Sequence, residues 1–172
     1  MKAIVVVDRH WGIGAKNDLL FRLKEDMRHF RTLTDGKVVL MGYNTLLSFP
    51  GGNPLKNRTN IVLAPPEVQR TDCTVVHTLA ELAETIRGYD GEDVFIIGGA
   101  MFYHTMVPYC DTVYVTKVDA DGGASVFFDN LDAMAHWYVA DEGEPIADNG
   151  QTIRFCTYRN RQPLPFVPSA IE

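Results

Sequence analysis

Few residues in this sequence are placed to do chemistry, and one of them sits where a polar group is least expected. In LKEDMRHFRTL the apolar residues Leu23, Met27 and Phe30 recur at helical spacing, and Asp26, three residues after Leu23 and four before Phe30, shares their face. Glu25 falls with Arg28, His29 and Thr32 on the other side, so His29 is expected to point outward. A carboxylate aimed into an apolar stripe loses solvation, its pKa rises, and it needs a donor or a charged partner. It suits a ligand offering two parallel N–H donors or a proton to exchange. The competing reading is a first-turn acid, favoured by the helix dipole and partly solvated.

A second feature is the glycine pair in DVFIIGGAMFYHTM. The apolar run from Val94 to Ile97 stops at Gly98 and Gly99 and a helix resumes at once. A buried strand feeding a helix this way presents backbone N–H groups with no side chain to keep a phosphate or pyrophosphate away. The plainer alternative is a tight turn with no ligand, since the glycine fingerprint of the dinucleotide-binding fold is absent. A third group is Lys56 and Arg58, after the turn-rich SFPGGNPLKN, joined by Arg31 on the acid-bearing helix. They are either solvated loop charges or a two-pronged clamp for a ligand carboxylate. The five histidines share no face or spacing with other metal-type residues, so no metal site is expected. No nucleophile elbow or phosphate-loop lysine motif is present.

The segments that must position these residues alternate short β-branched runs with helix-period stretches, the pattern of crossover units on a largely parallel sheet. Strands are predicted at Ala3 to Val7, Val38 to Met41, Asn60 to Leu63, Thr74 to His77 and Val94 to Ile97. Helices are predicted at Lys24 to Thr34, Tyr43 to Leu47, Leu79 to Arg87 with Thr78 as N-cap, and from the glycine pair to Val107. TVYVTKV, WYVADE and TIRFCTYR then follow, the last two with no helix between them, which predicts antiparallel pairing. The expected fold is α/β: one domain with an eight-stranded mixed, mainly parallel sheet and four flanking helices. It spans residues 1–160, followed by a tail over 161–172 with three prolines. That tail is a packed extension, a disordered end or an appended remnant.

Composition bounds the partners. With 172 residues, 46% of them hydrophobic, the chain fits a single core. A formal charge of −6 argues against nucleic-acid or anionic-membrane surfaces, which need a dense basic face. Cys73, Cys110 and Cys156 lack metal-type spacing, and the first apolar run is too short for a signal peptide, so a reducing cytoplasm is expected.

From Met1 to about Arg159 the order of features resembles the dihydrofolate reductase family: an initial strand, WGIGAKNDLLF, RLKEDMRHF, VVLMGYNT, PLKNRTNIVL, VFIIGGAMFY, and VYVTKVDA followed by FF. The resemblance implies an eight-stranded mixed sheet that binds NADPH on one side of a cleft and dihydrofolate on the other. It implies hydride transfer to pterin C6 with protonation at N5. Asp26 would hold the pterin amidine edge, with Thr116 as its hydrogen-bonding partner, and Arg58, near Arg31, would clamp the substrate's α-carboxylate. Ile4, Val5, Phe30, Phe49, Leu55, Ile97 and Tyr103 match pocket positions. Val6, Ile13, Gly14, Asn17, Leu19, Gly42, Tyr43, Asn44, Thr45, Leu63, Ala64, Pro65, His77, Ile97, Gly98, Gly99, Ala100, Met101 and Phe102 match cofactor positions. The glycine pair is expected to carry a cis peptide, and the loop Trp11 to Leu19 to act as the lid. A monomer that binds antifolate-type inhibitors is the further expectation.

Some residues depart from the family pattern. Tyr43 stands where a basic residue is common, followed by Asn44. Ala64 and Pro65 replace the hydroxyl or basic residues that hold the adenosine 2′-phosphate, and Met101 replaces a basic residue of some members. The phosphate pocket is poor in charge, with His77, Thr78 or Arg70 as substitutes. Leu20 and Phe21 replace the usual proline and tryptophan beside the lid. Two rivals stay open: a reductase of riboflavin synthesis with this fold, which should lack the Asp26 and Arg58 pairing, and a non-catalytic nucleotide or flavin binding module.

Overall fold

In the computed structural model, which describes residues 1–16 and 18–168, the β-branched runs become strands and the helix-period segments cross between them. In chain order these are β1 (Lys2–Val7), β2 (Gly12–Gly14), α1 (Lys24–Thr34), β3 (Val38–Gly42), α2 (Tyr43–Ser48), β4 (Thr59–Leu63), β5 (Thr74–Val76) and α3 (Leu79–Ile86). They continue with β6 (Val94–Ile96), α4 (Ala100–Met106), β7 (Thr112–Val118), β8 (Val126–Phe127), β9 (Trp137–Glu142), β10 (Ile146–Asp148) and β11 (Gln151–Asn160). Thr78 caps α3 as predicted, its hydroxyl accepting from the Glu81 N–H at 3.0 Å.

The main sheet runs β10-β11-β7-β1-β6-β3-β4-β5, with β9 also on β11, giving nine strands; β2 and β8 form a separate ribbon. The pairs from β7 to β5 are parallel, and β11 runs antiparallel to β7, β9 and β10. The expected count of eight strands is therefore corrected to nine in this sheet. The unpredicted strands β2, β8 and β10 have two or three residues each, too few for a period to register.

Strand alternation assigns the two faces. Val113 and Val115 enter the cluster that contains Leu82 and Ile86 of α3 and Phe102 and Met106 of α4. Thr116 faces the other side, where α1 lies. On β1, Ile4 turns to the α1 side with Phe30, Phe49, Leu55 and Ile97, whereas Val5 turns to the α3/α4 side.

Two expectations for α1 are corrected. Met27 is 60% exposed, and His29 stacks on Phe155 with ring centroids 4.0 Å apart. Successive helical residues are rotated by about 100°. The contact line is centred on Asp26, with Leu23 and Phe30 on one flank and His29 and Leu33 on the other, so Met27 is turned off the sheet. Burial lowers the His29 pKa below its usual value.

Residues 161–168 pack back on the domain. The Leu164 N–H donates to the Pro108 carbonyl at 3.0 Å, and Phe166 meets Tyr109 edge-on at 4.9 Å. Among the described residues, no helix is long and apolar enough to cross a membrane.

Candidate active site

The central sheet opens where two neighbouring strands part. β1 is paired with β6 only through Lys2–Phe95 and Ala3–Ile96, while it stays paired with β7 as far as Val7–Lys117. Beyond Ile96 the chain leans toward β3: the Ile97 N–H donates to the Leu40 carbonyl at 2.9 Å, and the Gly42 N–H to the Gly98 carbonyl at 2.9 Å. The Tyr103 hydroxyl donates to the Ile4 carbonyl at 2.6 Å, at the point where the β1–β6 ladder has stopped. A slot results between the C-terminal halves of β1 and β6. Crevices at the carboxyl ends of strands are where open α/β sheets bind ligands.

Asp26 stands on the α1 side of this slot. Thr116, 1% exposed and paired across the sheet with Val6 and Phe155, donates its hydroxyl proton to Asp26 Oδ1 at 2.6 Å. Burial raises the Asp26 pKa above the usual carboxylate value, the Thr116 bond opposes that rise, and the Asp148 carboxylate adds to it. Glu25 behaves as expected of the outer face and pairs with Arg28 at 3.1 Å.

The other end of α1 carries the basic group. The Arg58 guanidinium lies 5.9 Å from the Phe30 ring centroid, donates to Thr34 Oγ1 at 3.3 Å and to the Lys56 carbonyl at 2.8 Å. Burial lowers the Arg58 pKa, the Asp35 carboxylate opposes that fall, and nearby Arg31 adds to it. Phe30, Phe49 and Leu55 are half-buried around Ile4 and Ile97, so an apolar wall connects the acid to the cations. Tyr103 is buried and reaches the slot through its hydroxyl. The Val5 side chain belongs to the opposite core, which leaves only its backbone for the cleft.

The expected cofactor positions between Gly42 and Phe102 lie along the carboxyl ends of β6, β3, β4 and β5, which are adjacent in the sheet, whereas Val6 is on β1 and Ile13 and Gly14 are on β2. The Gly98–Gly99 peptide is cis, and Gly98 has φ +138°. A Cβ on Gly98 would sit 3.1 Å from Thr45 Oγ1, and one on Gly99 would sit 3.3 Å from it. This is a cradle that only glycine lining keeps open. Of the residues after it, Phe102 is buried in the core and offers only backbone, while Met101 is 86% exposed. Gly42, Tyr43, Asn44 and Thr45 form the β3–α2 junction, and Leu63, Ala64 and Pro65 end β4. His77 follows β5, with Nδ1 3.0 Å from the Ala64 carbonyl. Of the other two expected substitutes, Arg70 is bound to Asp72 at 2.6 Å and the Thr78 hydroxyl accepts the α3 cap bond.

The segment expected to act as the lid divides into a held part and an open part. Trp11 is 7% exposed, wedged between Phe128 and Tyr158, and Gly12–Gly14 pair with β8. Ile13 and Gly14 are thus held in a ribbon. Leu19 is 69% exposed, and Asn17 lies outside the described residues.

Two buried acids were not anticipated, and one of them touches the site. Asp148, 5% exposed, accepts from the N–H groups of Lys24 at 2.9 Å, Glu25 at 2.8 Å and Asp26 at 3.2 Å. Asp8, 3% exposed, accepts from the N–H groups of His10, Gly12 and Gly122 at 2.8, 2.7 and 3.0 Å. Burial pushes the Asp8 pKa up, and these three donors more than reverse that effect. No local pattern marks Asp148, although Leu23 at the α1 N-cap, unable to cap, signals that a cap must come from elsewhere.

Comparison with known proteins adds independent observations. The family model described as dihydrofolate reductase matches residues 1–161. The dihydrofolate reductase of Bacillus subtilis (strain 168) is 32% identical over 161 residues, 92% of this chain and 93% of that protein. The type 9 dihydrofolate reductase of Escherichia coli is 27% identical over 176 residues, covering 98% of each. Among solved structures, the Enterococcus faecalis dihydrofolate reductase complexed with NADP(H) and RAB-propyl superimposes with a TM-score of 0.81 and 27% identity, covering 92% of this chain and 95% of that one.

Proposed function

Because this chain belongs to the dihydrofolate reductase family, and so reduces 7,8-dihydrofolate to 5,6,7,8-tetrahydrofolate with NADPH, we propose that the Asp26–Thr116 pair at the opened slot is its catalytic centre. The observation that carries this reading is a half-buried carboxylate, with one side-chain donor, facing a gap in the sheet. In this cleft, NADPH would supply the hydride for pterin C6, and one proton from water at N5 would balance the reaction.

The residues of the chain position, exclude water and manage that proton. Asp26 accepts the paired N–H donors of the pterin amidine edge, and Thr116 fixes the carboxylate by holding Oδ1. A raised pKa lets Asp26 keep a proton nearer to neutrality than an exposed aspartate does. The protonated carboxyl still anchors the pterin edge and polarises the ring so that water can protonate N5, and the rate therefore falls as pH rises through that pKa. Ile4, Phe30, Phe49, Leu55, Ile97 and Tyr103, with the backbone of Val5, hold the ring in a dry slot, and Arg58 with Arg31 receives the glutamate carboxylate. The Gly98–Gly99 cradle, with Thr45 and the backbone of Ala100 to Phe102, fits a diphosphate because no Cβ fills it. Gly42 to Thr45, Leu63 to Pro65 and His77 would hold the adenosine side, with Val6, Ile13, Gly14 and Leu19 beside the nicotinamide.

The domain at 1–160, acting as a monomer open to antifolate-type inhibitors in a reducing cytoplasm, completes the reading. Its support for the compartment is that Cys73, Cys110 and Cys156 are free thiols, with burial pushing Cys110 up to about 12. The deciding assay follows loss of reduced-nicotinamide absorbance with dihydrofolate present, for the parent and for Asp26→Asn. Equal turnover in both would overturn the assignment of Asp26.

A further inference from the structure

We propose that Asp148, the last residue of β10 before the turn into β11, is a positioning residue for the reaction: its carboxylate fixes the main chain of Asp26 and supplies the negative charge that tunes the proton on it. This rests on the reading of Asp26 given above.

The geometry begins with a helix that cannot cap itself. The first four N–H groups of any helix lack partners within it, and Ser, Thr, Asp or Asn ordinarily stands at the N-cap to accept one. α1 has Leu23 there, and its side chain makes no cap bond. Asp148, more than a hundred residues later, accepts from three of the four, and one of those three is the N–H of Asp26 itself. Asp26 is therefore held at both ends, its backbone by Asp148 and its side chain by Thr116.

The turn is built to deliver that carboxylate. Asn149 and Gly150 both have positive φ, 49° and 77°, and form the two-residue turn of the β10–β11 hairpin, with Asp148 paired to Gln151. The Asn149 amide donates to the Arg22 carbonyl at 2.8 Å, so the same turn grips the chain on both sides of Leu23.

Electrostatics gives the second part. The α1 N-terminus carries partial positive charge, which by itself favours the ionised form of a first-turn acid. A carboxylate seated on that terminus cancels the field and repels a second negative charge nearby. Other groups around Asp26 do not do this. Glu25 is paired with Arg28 on the outer face, His29 is stacked on Phe155, and Thr116 of β7 is a neutral donor. Tyr103 of α4 spends its proton on the Ile4 carbonyl, and Lys117 of β7 points to the opposite face, toward Trp11, Tyr158 and Asp132. Asp148 is the one anion seated against the Asp26 main chain among the described residues.

The test uses Asp148→Asn, which keeps an oxygen acceptor for the N–H groups but loses the charge, and Asp148→Ser, which keeps a short cap. Single-turnover hydride transfer is followed from pH 5 to 9 after mixing the NADPH-loaded protein with dihydrofolate, and Tm is recorded for each variant. We expect the alkaline midpoint of the rate to move to lower pH by at least a few tenths of a unit in both, since both lack the charge. A lowered Tm with the parent's midpoint would mean that Asp148 is only a structural cap and would overturn the proposal. If Asp26→Asn, run alongside, turned over like the parent, the reading of Asp26 itself would fall. If Asp26→Asn were crippled while both Asp148 variants kept the parent's profile, the role of Asp148 alone would be lost.

Discussion

The Thr116 hydroxyl lies 2.6 Å from Asp26 Oδ1, joining two residues ninety positions apart in the sequence. This donor favours the ionised acid and opposes the rise that burial imposes. Thr116→Val keeps the shape and removes the proton donor. The alkaline limb of kcat/KM should then move to higher pH, opposite in sign to the shift expected of Asp148→Asn. Stability should fall by about 1–3 kcal/mol, because a half-buried carboxylate is left unpaired. A pH–rate profile with a urea titration measures both.

Asp26→Asn should lower turnover at neutral pH by roughly 10²–10⁴-fold, the range for removal of a positioned acid–base group. Glu25→Gln, one residue away but paired with Arg28 outside the slot, should stay within about twofold of the parent. Steady-state rates of the two variants side by side decide the matter.

The same acid has a consequence for stability. Burial first, then the Asp148 carboxylate, raise the Asp26 pKa above 3.8 despite the Thr116 bond. Over the window from 3.8 up to the folded-state pKa the native protein binds more protons than the unfolded chain, so stability falls as pH rises through it and stays lowered above. Asp26→Asn removes that titration. Without ligands, the variant should be the more stable protein at neutral pH and should lose the advantage as pH approaches 3.8. Urea unfolding of both proteins at neutral and acid pH checks the sign.

Arg58→Leu should act on binding rather than on the chemical step. A charge-assisted pair with a carboxylate contributes about 1.5–3 kcal/mol, so the dihydrofolate KM should rise roughly 10- to 150-fold with kcat little changed. A fall in kcat with KM unaltered would remove Arg58 from the clamp.

Gly98→Ala adds a methyl 3.1 Å from Thr45 Oγ1 on a backbone with φ +138°. Strain of about 1–3 kcal/mol at this position should raise the NADPH KM by roughly tenfold or more. Gly36→Ala, with a positive φ but nothing within 4 Å of its added Cβ and no place in the cleft, separates backbone strain alone from damage to the cradle. Its KM for NADPH should match that of the parent.

Much of this was legible in the sequence, for identifiable reasons. Long runs with a clear period gave α1 and the buried strands within a residue or two, and the misplaced acid stood out because it broke a period. The turn at Gly98 and Gly99 was legible because glycine there has a steric cause. Asp148 was not, since it caps backbone groups of a distant segment, and no spacing along the chain encodes that meeting; Asp8 joins two local donors, His10 and Gly12, to the distant Gly122, and only the local part has a spacing to read. Met27 and His29 were misjudged because periodicity fixes the residues that share a helical face but not how the helix rolls on its sheet. The ribbon strand inside the expected lid segment was missed because a strand as short as Gly12–Gly14 leaves no pattern in the sequence.

The parting of β1 from β6 has a wider implication. A fully zipped pair would satisfy more main-chain groups and would be the sturdier arrangement, yet it would leave nowhere for a guest to enter. Tyr103 acts as the wedge that makes the open form tolerable, by answering one carbonyl that the missing neighbour would have met. Selection for endurance and selection for turnover therefore pull in opposite directions at this seam, and variants isolated only for heat resistance should accumulate changes there at the expense of catalysis.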